Sequence, residues 1–308
     1  MIVLLNPHAG GGRAAKMWEG LRREIRARHP SMQVLRPGEG ISVEGSIGEA
    51  LERGERHFVA AGGDGTVNLL LNTLLALRPD RESGLAVGAI ALGSSNDFHK
   101  PVQPWQCTAG ISCKIDFSAA RLRDVVHVSY SGKDGEAGRF FLVNASAGLT
   151  AEANAFFNNA DRLLGWLKRK HTDPAILYAA IRTILRYRNK EMTLTFPDME
   201  AVTVPVTNLG IVRNPHVSGG LRYGDEQTVR SGVMGVHLCH GTGIPGRLRL
   251  LAALARGTFD HLPRTLSRQT PWLRLEARST FSLEMDGEII TTNRATFTVL
   301  PDHIRVCP

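Results

Sequence analysis

The sequence predicts an α/β protein in two parts, an open parallel α/β domain followed by a mostly β domain. Three observations carry that expectation. Short apolar runs at Ile2–Leu5, Met32–Leu35, Phe58–Ala61 and Leu85–Leu92 alternate with helical patterns such as Ala14–Arg28, the arrangement of a buried parallel sheet. Polar, glycine-bearing turns begin at Asn6, Gly62 and Gly93, where three of those runs end. From about Arg123 the pattern changes to alternating strands, as expected of antiparallel sheet with one wet face.

The elements follow in order. Leu70, Leu71, Leu74 and Leu75 repeat at helical spacing after a helix start at Thr66. Beyond Arg123, strands are predicted at Val125–Tyr130, Arg139–Ala145, Met192–Phe196, Val202–Val206, Val233–Cys239, Phe281–Met285 and Glu288–Thr292, with a helix near Arg247–Arg256. The domains are therefore 1–122 and 123–301. At 308 residues and 43% hydrophobic content the chain is long enough to bury two cores. No apolar run reaches the ~18 residues of a membrane span. Cys107, Cys113, Cys239 and Cys307 have neither zinc-ligand spacing nor disulfide density, which points to a reducing, cytoplasmic setting.

The turn Gly62-Gly63-Asp64-Gly65-Thr66 lies at the carboxyl end of a strand and opens a helix. Glycines let backbone approach a phosphate, and the helix N-terminus adds unpaired N–H donors. A carboxylate beside phosphate is repulsive unless a cation lies between, so Asp64 suggests Mg²⁺; an ordinary N-cap is the alternative. Ligands of open α/β sheets bind at such strand ends, where the loops at Asn6, Gly62 and Gly93 converge. The expectation is a nucleotide-phosphate site.

The net charge of +8 concentrates between Asp161 and Lys190, where eight Lys and Arg face two Asp. Leu177, Ala180, Ile181 and Ile184 form a helical stripe there, with Arg182 and Arg186 off it. A basic amphipathic helix suits an anionic membrane surface, and equally an ordinary solvated face. No nucleic-acid-binding motif accompanies the charge, so nucleic acid is not an expected partner.

Gly62-Gly63-Asp64-Gly65-Thr66 resembles the signature of the diacylglycerol kinase catalytic-domain family, which includes sphingosine kinases and, more distantly, NAD kinases. Asn6-Pro7-His8-Ala9-Gly10 with Lys16 is similar to the family's first loop, Gly93–Phe98 to its second, and Met285-Asp286-Gly287-Glu288 to its late acidic motif; Phe140–Gly148 is a looser match. The resemblance implies ATP and Mg²⁺ as cofactors, a lipid hydroxyl as acceptor, peripheral action at the inner membrane surface, a C-terminal β-sandwich, a tail 302–308 that returns to the first domain, and a homodimer.

It also implies roles. Asn6, Gly10, Lys16, Gly62, Gly63, Asp64, Gly65, Thr66, Ser95, Asn96 and Asp97 would bind nucleotide, Lys100, Arg182 and Arg186 would face substrate or membrane, and Asp286 would be the general base with Glu288 orienting it. By sequence alone Asp286-Gly287 is equally a type I′ hairpin turn. Leu69 stands where the family usually has Glu, and Ser231 where it has an Asp supporting a structural Mg²⁺, leaving Asp225 or Glu226 to rebuild that site. Asp124 and Asp116 compete for the family's aspartate at the domain junction. The alternatives are a NAD or other small-molecule kinase and a nucleotide-binding regulator without catalysis.

Overall fold

β1 (Ile2–Leu5), β2 (Gln33–Leu35), β3 (His57–Gly62) and β4 (Ala86–Ala91) pair in parallel in the order β4-β3-β1-β2. The structure, a computed structural model, describes residues 1–38, 42–132, 135–158, 172–224 and 229–308. β1 and most of β3 and β4 are buried on both faces, which is why they read as continuous apolar runs. The terminal strand β2 has no fully buried residue.

α1 (Ala14–Arg28) buries Ala14, Trp18, Leu21 and Ile25, and Ala14, Trp18, Leu21 and Ile25 pack with Val3, Leu5, Val59 and Ile90. α2 (Val43–Glu52) starts at Ser42, whose hydroxyl accepts the Gly45 N–H at 3.1 Å, an N-cap that satisfies one orphan donor. α3 (Asp64–Leu77) buries Val67, Leu70, Leu71, Leu74 and Leu75. It begins at Asp64, two residues before the position expected from periodicity, because Gly63 is the cap. β5 (Cys107–Thr108) pairs antiparallel with β6 (Ile111–Lys114), and β6 with β4. These elements form one compact unit, Met1–Val125 with Leu300–Pro308. In the closing segment Arg305 and Val306 pair in parallel with Ala86 and Val87.

The second unit, Val126–Val299, is built mainly from β7 (Arg121–Gly132), β8 (Gly135–Phe141), β9 (Asn144–Gly148), β10 (Lys190–Phe196), β11 (Met199–Val212), two short strands β12 (His216–Val217) and β13 (Leu221–Arg222), β14 (Met234–His240), β15 (Thr265–Thr270), β16 (Trp272–Met285) and β17 (Glu288–Val306). β11 and β16 each pair with β10 along one half and with β9 along the other. Their registers shift between Val206 and Asn208 and between Glu276 and Phe281, irregularities of the kind that bend a strand. The strands thus enclose one core that includes Phe141, Met192, Leu209, Leu275, Phe281 and Phe297.

α4 (Leu149–Asn158), α5 (Thr172–Arg186) and α6 (Ile244–Arg256) complete the unit. α5 departs from the expected stripe. Ala179, Thr183, Ile184 and the following Tyr187 are buried, whereas Leu177, Ile181 and Leu185 are exposed. Small Ala179 sets the inward face by packing beside Phe156, Phe157 and Tyr178, so the larger apolar residues turn outward. The buried Arg247 guanidinium of α6 donates to the Ile184 and Tyr187 carbonyls at 3.0 and 2.6 Å, serving the helix end as a basic C-terminal partner. Among the described residues no helix is long and apolar enough to cross a membrane.

Candidate functional site

In the first unit the loops after β1, β3 and β4 meet. Asn6 donates its N–H to the Ala61 carbonyl at 2.9 Å and its amide to Thr66 Oγ1 at 3.4 Å. Gly10, Gly11 and Gly12 follow, all with positive φ. A Cβ on Gly10 would come within 2.7 Å of the Leu92 carbonyl, and one on Gly62 within 2.2 Å of Thr66 Oγ1. Gly62 and Gly10 are therefore held by close packing as well as by any ligand.

Thr66 and Val67 both give their N–H to the Gly63 carbonyl, at 2.9 and 3.2 Å. The expected phosphate donor at Thr66 is thus already used. The N–H groups of Asp64 and Gly65, the first two residues of α3, have no carbonyl a turn behind them and present the helix N-terminus.

Asp64 Oδ1 accepts the Phe98 N–H at 2.9 Å, and the Asp97 N–H adds a second bond. The first turn of α3 and the second loop are stapled by this one carboxylate. Burial, and then the charge of Asp97, push the Asp64 carboxyl up from 3.8 to about 6. Asp97 is itself buried and pairs with Lys100 at 2.7 Å. Two crowded carboxylates with one cation form a place where a further positive charge is favourable. Asp64 and Asp97 are the residues here that could hold Mg²⁺, and no cluster of three or more His, Cys, Asp or Glu with metal-ligand geometry occurs among the described residues.

Three residues of this region are engaged in local contacts. Asn96 turns its amide back on its own loop: its Oδ1 accepts the Gly93 N–H at 2.9 Å and its Nδ2 donates to the Gly93 carbonyl at 3.1 Å. Positive φ at Asn96 explains why an Asn closes this turn. Lys100 faces Asp97 rather than a lipid surface. Asp116 is an exposed cap, accepting Ser118 and Ala119 N–H groups at 3.0 and 3.3 Å, while Asp124 is the buried aspartate, accepting the Asp302 N–H at 3.0 Å. Ser95 is half-buried in the second loop, and Lys16 is exposed on α1.

In the second unit Asp286 and Gly287 form the hairpin turn between β16 and β17, with Met285 opposite Glu288. Their φ values, 45° and 91°, are those of a type I′ turn. The turn brings Asp286 inward. Its carboxylate accepts the N–H groups of Leu142, Val143 and Asn144 at 2.9, 3.1 and 2.9 Å, fixing its orientation against the chain between β8 and β9. Glu288 is exposed and does not support it. Glu284, unremarked in the sequence, is buried and accepts Ser146 Oγ at 2.9 Å and the Gly287 N–H at 2.6 Å. Period-two alternation sets Glu284 with Ser282 on the polar side of its strand, opposite Phe281, Leu283 and Met285, so no local pattern marks it as buried. Asp225 and Glu226 lie outside the described residues, as do Arg162, Lys168, Arg169 and Lys170 of the basic segment. Arg182 stacks on Phe156, 4.0 Å from the ring centroid, so it is a packing residue; Arg186 is exposed.

Residues 1–124 match the family model described as the diacylglycerol kinase catalytic domain. This N-terminal segment is similar to that family. Proteins named "Probable lipid kinase YegS-like" are similar over most of the chain: one from Pseudomonas savastanoi pv. phaseolicola is 25% identical over 84% of this chain and 78% of its own. Another from Chromohalobacter salexigens is 27% identical over 78% and 72%. The fold is shared with a protein of Bacillus anthracis str. Sterne assigned to the diacylglycerol kinases, at TM-score 0.74 and 18% identity, covering 99% of this chain and 94% of that one. A second structure, of a diacylglycerol kinase from the same organism, gives TM-score 0.66 at 15% identity over 99% and 95%. The match to the diacylglycerol kinase domain falls on the segment that holds all three glycine loops and the Asp64 staple.

Proposed function

We propose that the protein is an ATP-dependent lipid kinase that moves the γ-phosphate of ATP to a lipid hydroxyl at a membrane surface. The observation that carries this reading is the Asp64 carboxylate joining the N-terminus of α3 to the second loop within the family-matched segment. Backbone donors at Asp64 and Gly65 would take the phosphates, and Lys16 would add a point charge. Mg²⁺ held by Asp64 and Asp97 would offset the burial and the Asp97 charge that raise the Asp64 carboxyl, and would supply positive charge against that developing on the transferred group. In the second unit Asp286, oriented by its three N–H donors, would accept the proton of the acceptor hydroxyl as that oxygen attacks phosphorus and the bond to ADP breaks.

Membrane action has its own support. α5 exposes Leu177, Ile181 and Leu185 at i, i+4 and i+8, one row on one side of the helix. Exposed Arg186 and Arg188 adjoin it. Such a face gains by entering the interface of an anionic bilayer.

The test is transfer of labelled γ-phosphate from Mg-ATP to diacylglycerol, monoacylglycerol, sphingosine and ceramide in mixed micelles, with NAD as a soluble control and Asp286→Asn as the blank. Label in one lipid, lost in the variant, is the expected result. Label in NAD alone overturns the lipid acceptor, and ATP binding without transfer to any acceptor leaves a nucleotide-binding regulator, the reading that Ser231 favours.

A further inference from the structure

α1 carries a second cluster of chemistry away from the glycine loops. Trp18, Arg22 and Arg26 recur at i, i+4 and i+8, so they share one side of the helix. That side borders β2 and the residue after it, and between them lies an open cleft of about 580 Å³ lined by these three residues with Met32, Val34 and Arg36. β2 ends the strand order of the first unit, so among the described residues no further strand pairs with its outer edge.

The guanidiniums of the cleft outnumber its carboxylates, and beneath them lies a buried donor. Trp18 is fully buried, yet its indole Nε1 has no hydrogen-bond partner. A buried unsatisfied N–H is costly, and native structures leave few of them. Arg22 and Arg36 share a single carboxylate, Glu19, at 3.6 and 3.8 Å, longer than hydrogen bonds. No ion pair occupies Arg26 among the described residues. Three guanidiniums therefore line a cleft above buried Trp18 and Met32 and half-buried Val34, and the one carboxylate paired with them, Glu19, is shared by two of the three.

We propose that this cleft is an anion site for a phosphate ester with an apolar body, distinct from the nucleotide loops. Arginine forks match phosphate oxygens in pairs, which one shared carboxylate cannot replace. The apolar floor and the volume exceed what free phosphate fills, so the ligand is an ester: a soluble sugar or glycerol phosphate, or a phospholipid headgroup with the start of its chains. The inference does not depend on the reaction the protein catalyses.

Calorimetric titration at fixed ionic strength tests it, with a nonhydrolysable ATP analogue present to occupy the glycine loops. Glycerol 3-phosphate is the soluble probe, and phosphatidylcholine vesicles with and without phosphatidic acid are the bilayer probe. Saturable binding that weakens about tenfold or more in Arg26→Gln and in Arg36→Gln, with melting temperature and nucleotide affinity unchanged, supports the site. Response to the soluble probe identifies a free ester, and response to phosphatidic acid vesicles alone identifies a headgroup. Trp18→Phe keeps the ring packing and removes the N–H, and a weaker affinity in it extends the result to the buried donor. No saturable binding of either probe, or equal binding by wild type and the Arg26→Gln/Arg36→Gln double variant, overturns the proposal.

Discussion

Gly63 and Gly93 meet backbone to backbone: a Cβ on Gly93 would lie 2.3 Å from the Gly63 Cα and 2.9 Å from Asn96 Oδ1. Main chain cannot step aside as a flexible side chain does. Gly93→Ala is expected to cost about 1–3 kcal/mol of stability and to lower ATP affinity by moving the second loop off the first. Gly20→Ala, inside α1 with open space around it, should leave ATP affinity unchanged and raise stability by about 0.5–1 kcal/mol. Thermal melting and nucleotide titration of the two variants check the contrast, and equal behaviour would remove close approach as the reason for the glycine.

Asp64 makes stability depend on pH with a definite sign. Its carboxyl is raised to about 6 from 3.8, chiefly by burial and then by Asp97. Between those values the folded protein keeps a proton that the unfolded chain has released, so folding loses stability as pH rises through the window, and the loss is complete above about 6. Without Mg²⁺, Asp64→Asn should therefore melt above wild type near neutral pH, with the gap narrowing as pH falls from about 6 toward 4. Mg-ATP should raise the melting temperature of wild type more than that of the variant, since only the carboxylate gains from the cation. A gap that widens on acidification would reverse the assignment.

Asp286 is expected to show a structural cost and a catalytic one. Asp286→Ala strands three backbone donors and places Ala at φ 45°, so a loss of roughly 3 kcal/mol or more is expected. Asp286→Asn keeps one acceptor oxygen and tolerates positive φ, so it should fold with a smaller loss while abolishing phosphoryl transfer and leaving ATP affinity within about threefold. Denaturation midpoints and label transfer, measured together, separate the two effects. Full transfer by Asp286→Asn would confine the residue to the turn.

Much of this was legible in residue order because the signals are local. β1, α1 and the Asp286-Gly287 turn need only periodicity or a dipeptide to be read, and the glycine run at 62–65 announces close backbone approach. What was illegible depends on contacts far apart in sequence. Nothing near Asn96 says that its amide turns back on Gly93, and nothing near Lys100 decides between Asp97 and solvent. Glu284 stayed hidden because its partner Ser146 is 138 residues away. On α5 the stripe of large apolar residues does not coincide with the buried face, because that face is set by the small Ala179 and by Arg247 reaching the helix end from α6.

That corrected face changes which substitutions probe membrane docking. Arg182 lies 4.0 Å from the Phe156 ring centroid, so Arg182→Glu breaks packing between α4 and α5 and should lower the melting temperature as well as activity. Arg186 is exposed at the end of α5, and Arg186→Glu should leave stability unchanged while weakening binding to anionic vesicles several-fold, in line with about 1 kcal/mol for a basic residue near such a surface. Ile181→Ser, in the middle of the exposed row, should weaken binding to neutral and anionic vesicles alike, because burial of apolar area does not need lipid charge. Vesicle sedimentation with both lipid compositions, alongside transfer to a short-chain acceptor dispersed below its micelle concentration, reads docking apart from chemistry. Loss of transfer to the dispersed acceptor in Ile181→Ser would assign the row to the folded core of catalysis, and unchanged sedimentation in both Arg186→Glu and Ile181→Ser would place the membrane contact elsewhere on the protein.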